Sequence, residues 1–226
     1  MNGKTIIVTG AAGNLGRVTT ARLLAAGAHV VAFDRPGHML DSLAGPDRLT
    51  ITPIADLADQ AACTAAVQAV GPLHGVVHTV GGFAFAGLAD SGPDLWEQQF
   101  RLNVITTLNV LRAAIVPMRA AKAGSLVAVG AGAAQRAPSG MSAYAAAKSA
   151  VHRMVESFAD ELKSDGIRVN SVLPGTMDTP QNRAAMPDAD PARWTKLEEV
   201  AATIEFLLSD AATGITGALV PVPGRS

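Results

Sequence analysis

Short apolar runs rich in Val and Ile recur along the chain, and longer segments with apolar positions at helical period lie between them. The short runs predict strands over residues 4–9, 28–33, 49–54, 75–80, 124–129, 167–173 and 218–222. The longer segments predict helices over 13–26, 59–70, 93–121, 142–164 and 197–209. The strands are apolar at successive positions, not alternate ones, as expected when helices cover both faces of a parallel sheet. Strand–helix alternation from end to end predicts the α/β class: a doubly wound parallel sheet of about seven strands. Residues 1–226 then form a single domain.

Three stretches interrupt the alternation. Residues 81–93 and 130–141 are Gly- and Ala-rich loops after strands, and 174–191 is a longer loop rich in Pro, Met and Asp. All three leave the carboxyl edge of the predicted sheet, where ligands of such folds collect, so they are candidate pocket walls. The substrate-side segment is placed at about 174–196.

Composition narrows the partners. Apolar residues make up 49% and charged residues 16%, with a net charge of −1 and no basic run, which argues against nucleic acid or an anionic membrane surface. Cys63 is the lone cysteine, excluding an intrachain disulfide and fitting a reducing, cytoplasmic setting. Residues 1–9 run directly into a strand, leaving no room for a signal peptide, and no apolar run approaches the roughly 20 residues of a membrane helix. His29, His38, His74, His78 and His152 lack metal-ligand spacing, so no metal is expected.

The first strand leads into Thr9-Gly10-Ala11-Ala12-Gly13-Asn14-Leu15-Gly16 and then a helix. Gly10 permits a tight turn, Gly13 lets backbone approach a pyrophosphate, and Gly16 lets helix pack on strand. The helix N-terminus offers N–H groups to the phosphates. Such a turn opening the first βαβ unit marks a Rossmann-type dinucleotide site. Asp34 closes the second strand, where a carboxylate can accept from the adenosine ribose hydroxyls and repel a 2′-phosphate. NAD(H) is therefore preferred over NADP(H), with the neighbouring Arg35 able to soften the preference. Asp56-Leu57 follow the third strand, either beside the adenine or with Asp56 as an N-cap.

Tyr144 and Lys148 stand one turn apart on a predicted helix, on one face. A phenol of pKa about 10 needs help to act near neutrality. An ammonium about 5 Å away, at an effective dielectric of about 20, is worth roughly 3 kcal/mol, or about two pK units downward. Tyr144 is the candidate general acid.

With these motifs assembled, the chain resembles the short-chain dehydrogenase/reductase family over essentially its whole length. The matching residues are the 9–16 turn, Asp56-Leu57, Leu102-Asn103-Val104, Tyr144-x-x-x-Lys148 and Pro174-Gly175 followed by Thr179. The resemblance implies an NAD(P)-dependent oxidoreductase acting on a small molecule and assembled as a homodimer or homotetramer. It implies that Lys148 also holds the nicotinamide ribose, that Asn103 supports a proton-relay water, and that Pro174, Thr176 and Thr179 contact the carboxamide. It adds Gly81 to the cofactor site.

The chain departs from the family pattern in three places. Gly13 falls one place earlier than the usual middle glycine, with Asn14 in that glycine's position. His78-Thr79-Val80-Gly81 replaces the usual Asn-Asn-Ala-Gly. Ala131 stands 13 residues before Tyr144, where the family carries its catalytic serine. Losing such a donor costs carbonyl chemistry roughly 100- to 1000-fold. Gly130, Gly132 and Ala133 cannot replace it, and Ser139 and Ser142 lie close to the helix start.

The dihydropteridine reductases lack this serine and reduce a quinonoid ring. The chain resembles them in Val80-Gly81-Gly82-Phe83, in Gly130–Ala134 with Gly140-Met141, and in Asp178-Thr179-Pro180-x-Asn182-Arg183-x-x-Met186-Pro187-x-Ala189-Asp190 followed by Trp194-Thr195. Phe83, Phe85 and Trp194 are candidate surfaces for a flat ring, or loop packing. Two alternatives stand beside this reading: an ordinary carbonyl or alcohol oxidoreductase of the family, and a non-catalytic NAD-binding regulator.

Overall fold

A computed structural model describes residues 1–37 and 47–225; His38 lies outside the described residues. Among the described residues, seven strands form one parallel sheet in the order β3-β2-β1-β4-β5-β6-β7. They are β1 Thr5–Thr9, β2 His29–Asp34, β3 Leu49–Pro53, β4 Gly75–His78, β5 Gly124–Val129, β6 Ile167–Pro174 and β7 Leu219–Val222. The α-helices among the described residues are α1 Asn14–Ala25, α2 Gln60–Gln68, α3 Pro93–Phe100, α4 Thr106–Ala121, α5 Ser142–Leu162, α6 Pro180–Ala185 and α7 Leu197–Leu208. This is the predicted doubly wound architecture.

Alternate residues of each strand enter opposite cores. Ile7, Val31, Val76 and Leu126 face α2, α4 and α5, whereas Ile6, Val8, Val30, Val77 and Val127 face α1 and α7. Burying both faces explains the continuous β-branched runs. The strand order reverses between β1 and β4, so the crevice of such a sheet opens beyond Thr9 and His78.

Two expectations change here. The predicted helix 93–121 is continuous but not uniform, because Arg101–Ile105 widens into a π-helical turn between α3 and α4. The sequence expectation that no run approaches membrane length is also corrected, since Pro93–Ala121 is long and apolar enough by length and composition. In the fold half of its apolar window is buried, with Val110, Leu111, Ala114 and Met118 packed into the core.

Candidate active site

The crevice beyond β1 and β4 is a cleft of about 880 Å³ lined by the 10–17 turn, Asp34, Arg35, residues 54–57, Thr79, Val80, Gly81, Leu102 and Thr106. Gly10 takes a left-handed φ of 66°, and a Cβ there would lie 2.7 Å from Thr79 Oγ1. A Cβ on Gly16 would collide with the Gly10 carbonyl oxygen, so strand and helix approach to a distance only glycine allows. Gly13, the N-cap of α1, supplies no side-chain bond to the first turn, which leaves N–H groups directed at the cleft. These residues fit a dinucleotide pyrophosphate.

Asp34 is held by two backbone amides: Oδ2 accepts from Ala12 at 2.8 Å and Oδ1 from Arg35 at 2.7 Å. The carboxylate therefore stands fixed at the cleft edge beside the glycine turn. Asp56 is exposed; it accepts from the Ala58 amide at 2.8 Å and pairs with Arg101 at 2.6 Å. The Ala58 bond and Arg101 together hold its carboxyl below the usual range, against burial. The alternative of Asp56 as N-cap does not hold, because Asp59 caps α2 through Ala61 and Ala62. Leu57 is buried beneath the cleft, and its carbonyl accepts from Asn109 at 3.0 Å.

Asn103 lies on the π-helical turn and is fully buried. Its Nδ2 donates to the carbonyls of Gln99 at 2.9 Å and Gly82 at 3.1 Å, and its Oδ1 accepts from the Gly82 amide at 3.2 Å. The side chain thus locks the loop after β4. A Cβ on Gly81 would lie 2.7 Å from Asn103 Oδ1 and 3.0 Å from Lys148 Nζ. The structure therefore brings Gly81, Asn103 and Lys148 together. Beneath them His78 is buried between Thr9 Oγ1 at 2.9 Å and Thr106 Oγ1 at 3.3 Å. Burial, then the Lys148 charge, pushes its imidazole down to about 3.

Tyr144 and Lys148 share one face of α5. The Lys148 ammonium donates to the Val129 carbonyl at 2.7 Å, and burial lowers it to about 8. The Tyr144 phenol is instead raised to about 12, again by burial. This corrects the expected downward shift: the ammonium is spent on a backbone carbonyl, and desolvation of the phenol sets the direction. Phe83 meets the Tyr144 ring edge-on, with centroids 5.1 Å apart. Ala131 is 4% exposed in extended conformation at the end of β5, where it brings no hydroxyl. Ser139 and Ser142 are both exposed.

The walls are tied to one another. The Ala86 amide donates to the Gly140 carbonyl at 2.8 Å, and the Phe85 ring fills the space where Gly140 has no Cβ. Pro174 ends β6, and the chain turns through Thr176 into Thr179, which caps α6 by accepting from Asn182 at 3.2 Å. Met177 bridges Thr195, and Asp178 pairs with Arg183 at 2.6 Å. The helix α6 within this loop has no counterpart among the predicted elements. It reaches back to the cofactor turn, where Asn14 Nδ2 donates to Gln181 Oε1 at 2.8 Å. Trp194 is 6% exposed, so of its two readings loop packing holds, while Phe83 and Phe85 stand open at the mouth.

A family model described as short chain dehydrogenase matches residues 4–190. L-xylulose reductase of Bos taurus is 33% identical, over 98% of this chain and 96% of that protein. A protein of Xanthobacter autotrophicus named inactive 2-(S)-hydroxypropyl-CoM dehydrogenase 2 is also 33% identical, over 88% of this chain and 95% of its own length. A short-chain dehydrogenase/reductase of Mycobacterium ulcerans superposes with a TM-score of 0.93 at 31% identity, covering 100% of this chain and 90% of that one. A gluconate 5-dehydrogenase of Burkholderia cenocepacia, solved with NADP and tartrate, superposes with a TM-score of 0.92 at 26% identity, covering 99% and 95%. By sequence along nearly its full length and by fold, this chain belongs to the short-chain dehydrogenases/reductases, the NAD(P)-dependent oxidoreductases.

Proposed function

We propose that the protein is an NADH-dependent reductase of a quinonoid or similarly delocalised small molecule, in the manner of a dihydropteridine reductase. The observation that carries this reading is Ala131. Carbonyl reduction concentrates charge on one oxygen and gains from a second donor beside the phenol; a delocalised ring spreads that charge over several heteroatoms. The cofactor, when bound, supplies the hydride. Tyr144 supplies the proton from a half-buried phenol, which stays protonated at neutral pH. Lys148, buried and anchored on Val129, holds the nicotinamide ribose, and Asn103 supports the relay from its place on the π turn.

The remaining assignments rest on placement. Gly10, Gly13, Asn14, Leu15 and Gly16 cradle the pyrophosphate. Asp34 and Arg35 meet the adenosine ribose, and Asp56 with Leu57 lies at the adenine. Gly81, Pro174, Thr176 and Thr179 border the nicotinamide. The fixed Asp34 carboxylate favours NAD(H). Residues 174–196 and the exposed Phe83 and Phe85 form the substrate wall. Exposed Trp96, Phe100 and Val116 offer apolar surface for a homodimer or homotetramer, and the lone buried Cys63 suits a cytoplasmic setting.

A second reading, an ordinary carbonyl reductase, draws support from the L-xylulose reductases; a third, a non-catalytic NAD-binding protein, draws on Ala131 and the relative named inactive. NADH oxidation is measured with quinonoid dihydropterin and with a panel of ketones, for wild type and Tyr144→Phe. The proposal expects turnover of the pterin and a loss of roughly 100-fold or more in the variant. Turnover of ketones alone overturns the substrate, and an unchanged Tyr144→Phe variant overturns the catalytic reading.

A further inference from the structure

Residues 144, 148 and 152 follow one another at four-residue spacing on α5, so the third is a histidine on the face that carries the tyrosine and the lysine. His152 is 2% exposed, and its Nε2 accepts from the Ala131 amide at 3.4 Å. Lys148, one turn earlier, donates to the Val129 carbonyl. Two successive turns of α5 therefore grip the end of β5 on both sides of Gly130, one through a carbonyl and one through an amide.

The fit around Gly130 is specific to this pair. A Cβ there would run into His152 Nε2 and would stand 2.9 Å from its Cδ2 and 2.8 Å from Ser171 Oγ. The imidazole occupies the space a side chain at 130 would need. An imidazole accepts at Nε2 only when neutral, with its proton on Nδ1. Burial first, and then the charges of Lys148 and Arg153, hold His152 down at about 4, so the acceptor persists through neutral pH. One turn of α5 closer to the site, Ser149 Oγ donates to the Ala134 carbonyl at 2.9 Å. The loop that begins at Ala131 is thus pinned at two points from the same helix.

We propose that His152 is a positioning residue: through the Ala131 amide it fixes the loop wall beside Tyr144, at the place where this chain has no side-chain hydroxyl to do so. It acts through backbone, by way of the Ala131 amide. The inference rests on Tyr144 as the proton donor, and its test separates the two. His152→Leu keeps bulk without an acceptor, and His152→Gln returns an acceptor oxygen near the Nε2 position. Gly130→Ala is made in wild type and in His152→Ala.

Three quantities are read: the NADH Kd by fluorescence titration, kcat and KM with quinonoid dihydropterin and with 2,3-butanedione, and amide hydrogen exchange over residues 129–134. His152→Leu is expected to lose roughly 10- to 100-fold in kcat, as for a small misplacement beside the reacting group. Its NADH Kd stays within about twofold and exchange over the segment speeds up. His152→Gln recovers most of both, and Gly130→Ala impairs wild type more than it impairs His152→Ala, where only the Ser171 hydroxyl remains in its way. Wild-type kcat and exchange in His152→Leu overturn the proposal, as does equal impairment of the Leu and Gln variants, which would mean space-filling alone. Should neither probe be turned over, the exchange comparison decides by the same criteria. A fully active Tyr144→Phe variant removes the proton-donor reading while leaving the exchange result standing.

Discussion

Restoring the serine tests why its absence is tolerated. Ala131 has extended backbone (φ −159°, ψ 143°) and is 4% exposed, so Ala131→Ser adds one hydroxyl to a buried strand end without backbone strain. A donor aimed at a developing oxyanion is worth about 2.7–4 kcal/mol, or roughly 100- to 1000-fold in kcat. The new hydroxyl enters a site not shaped around it, with the Ala131 amide committed to His152. A gain of at least about tenfold, near 1.4 kcal/mol, is therefore the expected floor for a ketone. For a quinonoid ring the same hydroxyl meets little localised charge, and kcat/KM shifts by less than about threefold. The assay is NADH oxidation at fixed pH with quinonoid dihydropterin and with 2,3-butanedione, wild type against Ala131→Ser. An equal gain on both substrates, or no gain on the ketone, refutes the argument that substrate delocalisation makes the serine dispensable.

Acid stability provides a second test. His78 titrates at about 3 in the fold against about 6.5 for a free imidazole. The unfolded chain binds the extra proton first, so the contribution is fully present above about pH 6.5 and is lost as pH falls towards 3. At pH 5 the loss is about 2 kcal/mol from His78, with His152 acting in the same direction. The urea midpoint should fall between pH 7.5 and 5 and flatten in His78→Asn; a midpoint insensitive to pH in wild type contradicts the burial argument. Cofactor choice is a third: Asp34→Ala should weaken NADH by roughly 10- to 100-fold, the worth of charge-assisted hydrogen bonds, and narrow the NADH-to-NADPH ratio of kcat/KM. An unchanged ratio would remove Asp34 from the ribose.

The sheet was legible because burial on both faces writes itself as runs such as Ile6-Ile7-Val8 and Val30-Val31-Ala32-Phe33. The glycine turn and the Tyr144–Lys148 spacing were legible for a similar reason, since each demands residue types at fixed offsets. What escaped the sequence depends on contacts between distant segments. Leu102-Asn103-Val104 reads as ordinary helix, and nothing local announces the π turn around it. The sign of the Tyr144 shift escaped because it is set by enclosure, including the edge of Phe83, not by the lysine four residues on. His152 was visible only as a histidine without metal spacing; its partner is 21 residues away. The cap of α2 fell to Asp59 and not Asp56 because the helix begins only at Gln60, while Asp56 turns back onto the Ala58 amide and meets Arg101, 45 residues on.

The widened turn at Arg101–Ile105 has a consequence for how one rod can serve two masters. An extra residue in a helix rotates everything beyond it by about 100°. α3 and α4 are therefore out of phase although one runs into the other: α3 keeps Trp96 and Phe100 outside, while α4 commits Val110, Leu111 and Met118 to the core. Each half can drift in sequence under its own periodicity without dragging the other round, and the site of the dislocation is the residue pair, Asn103 and Val104, that stays buried through the change of phase.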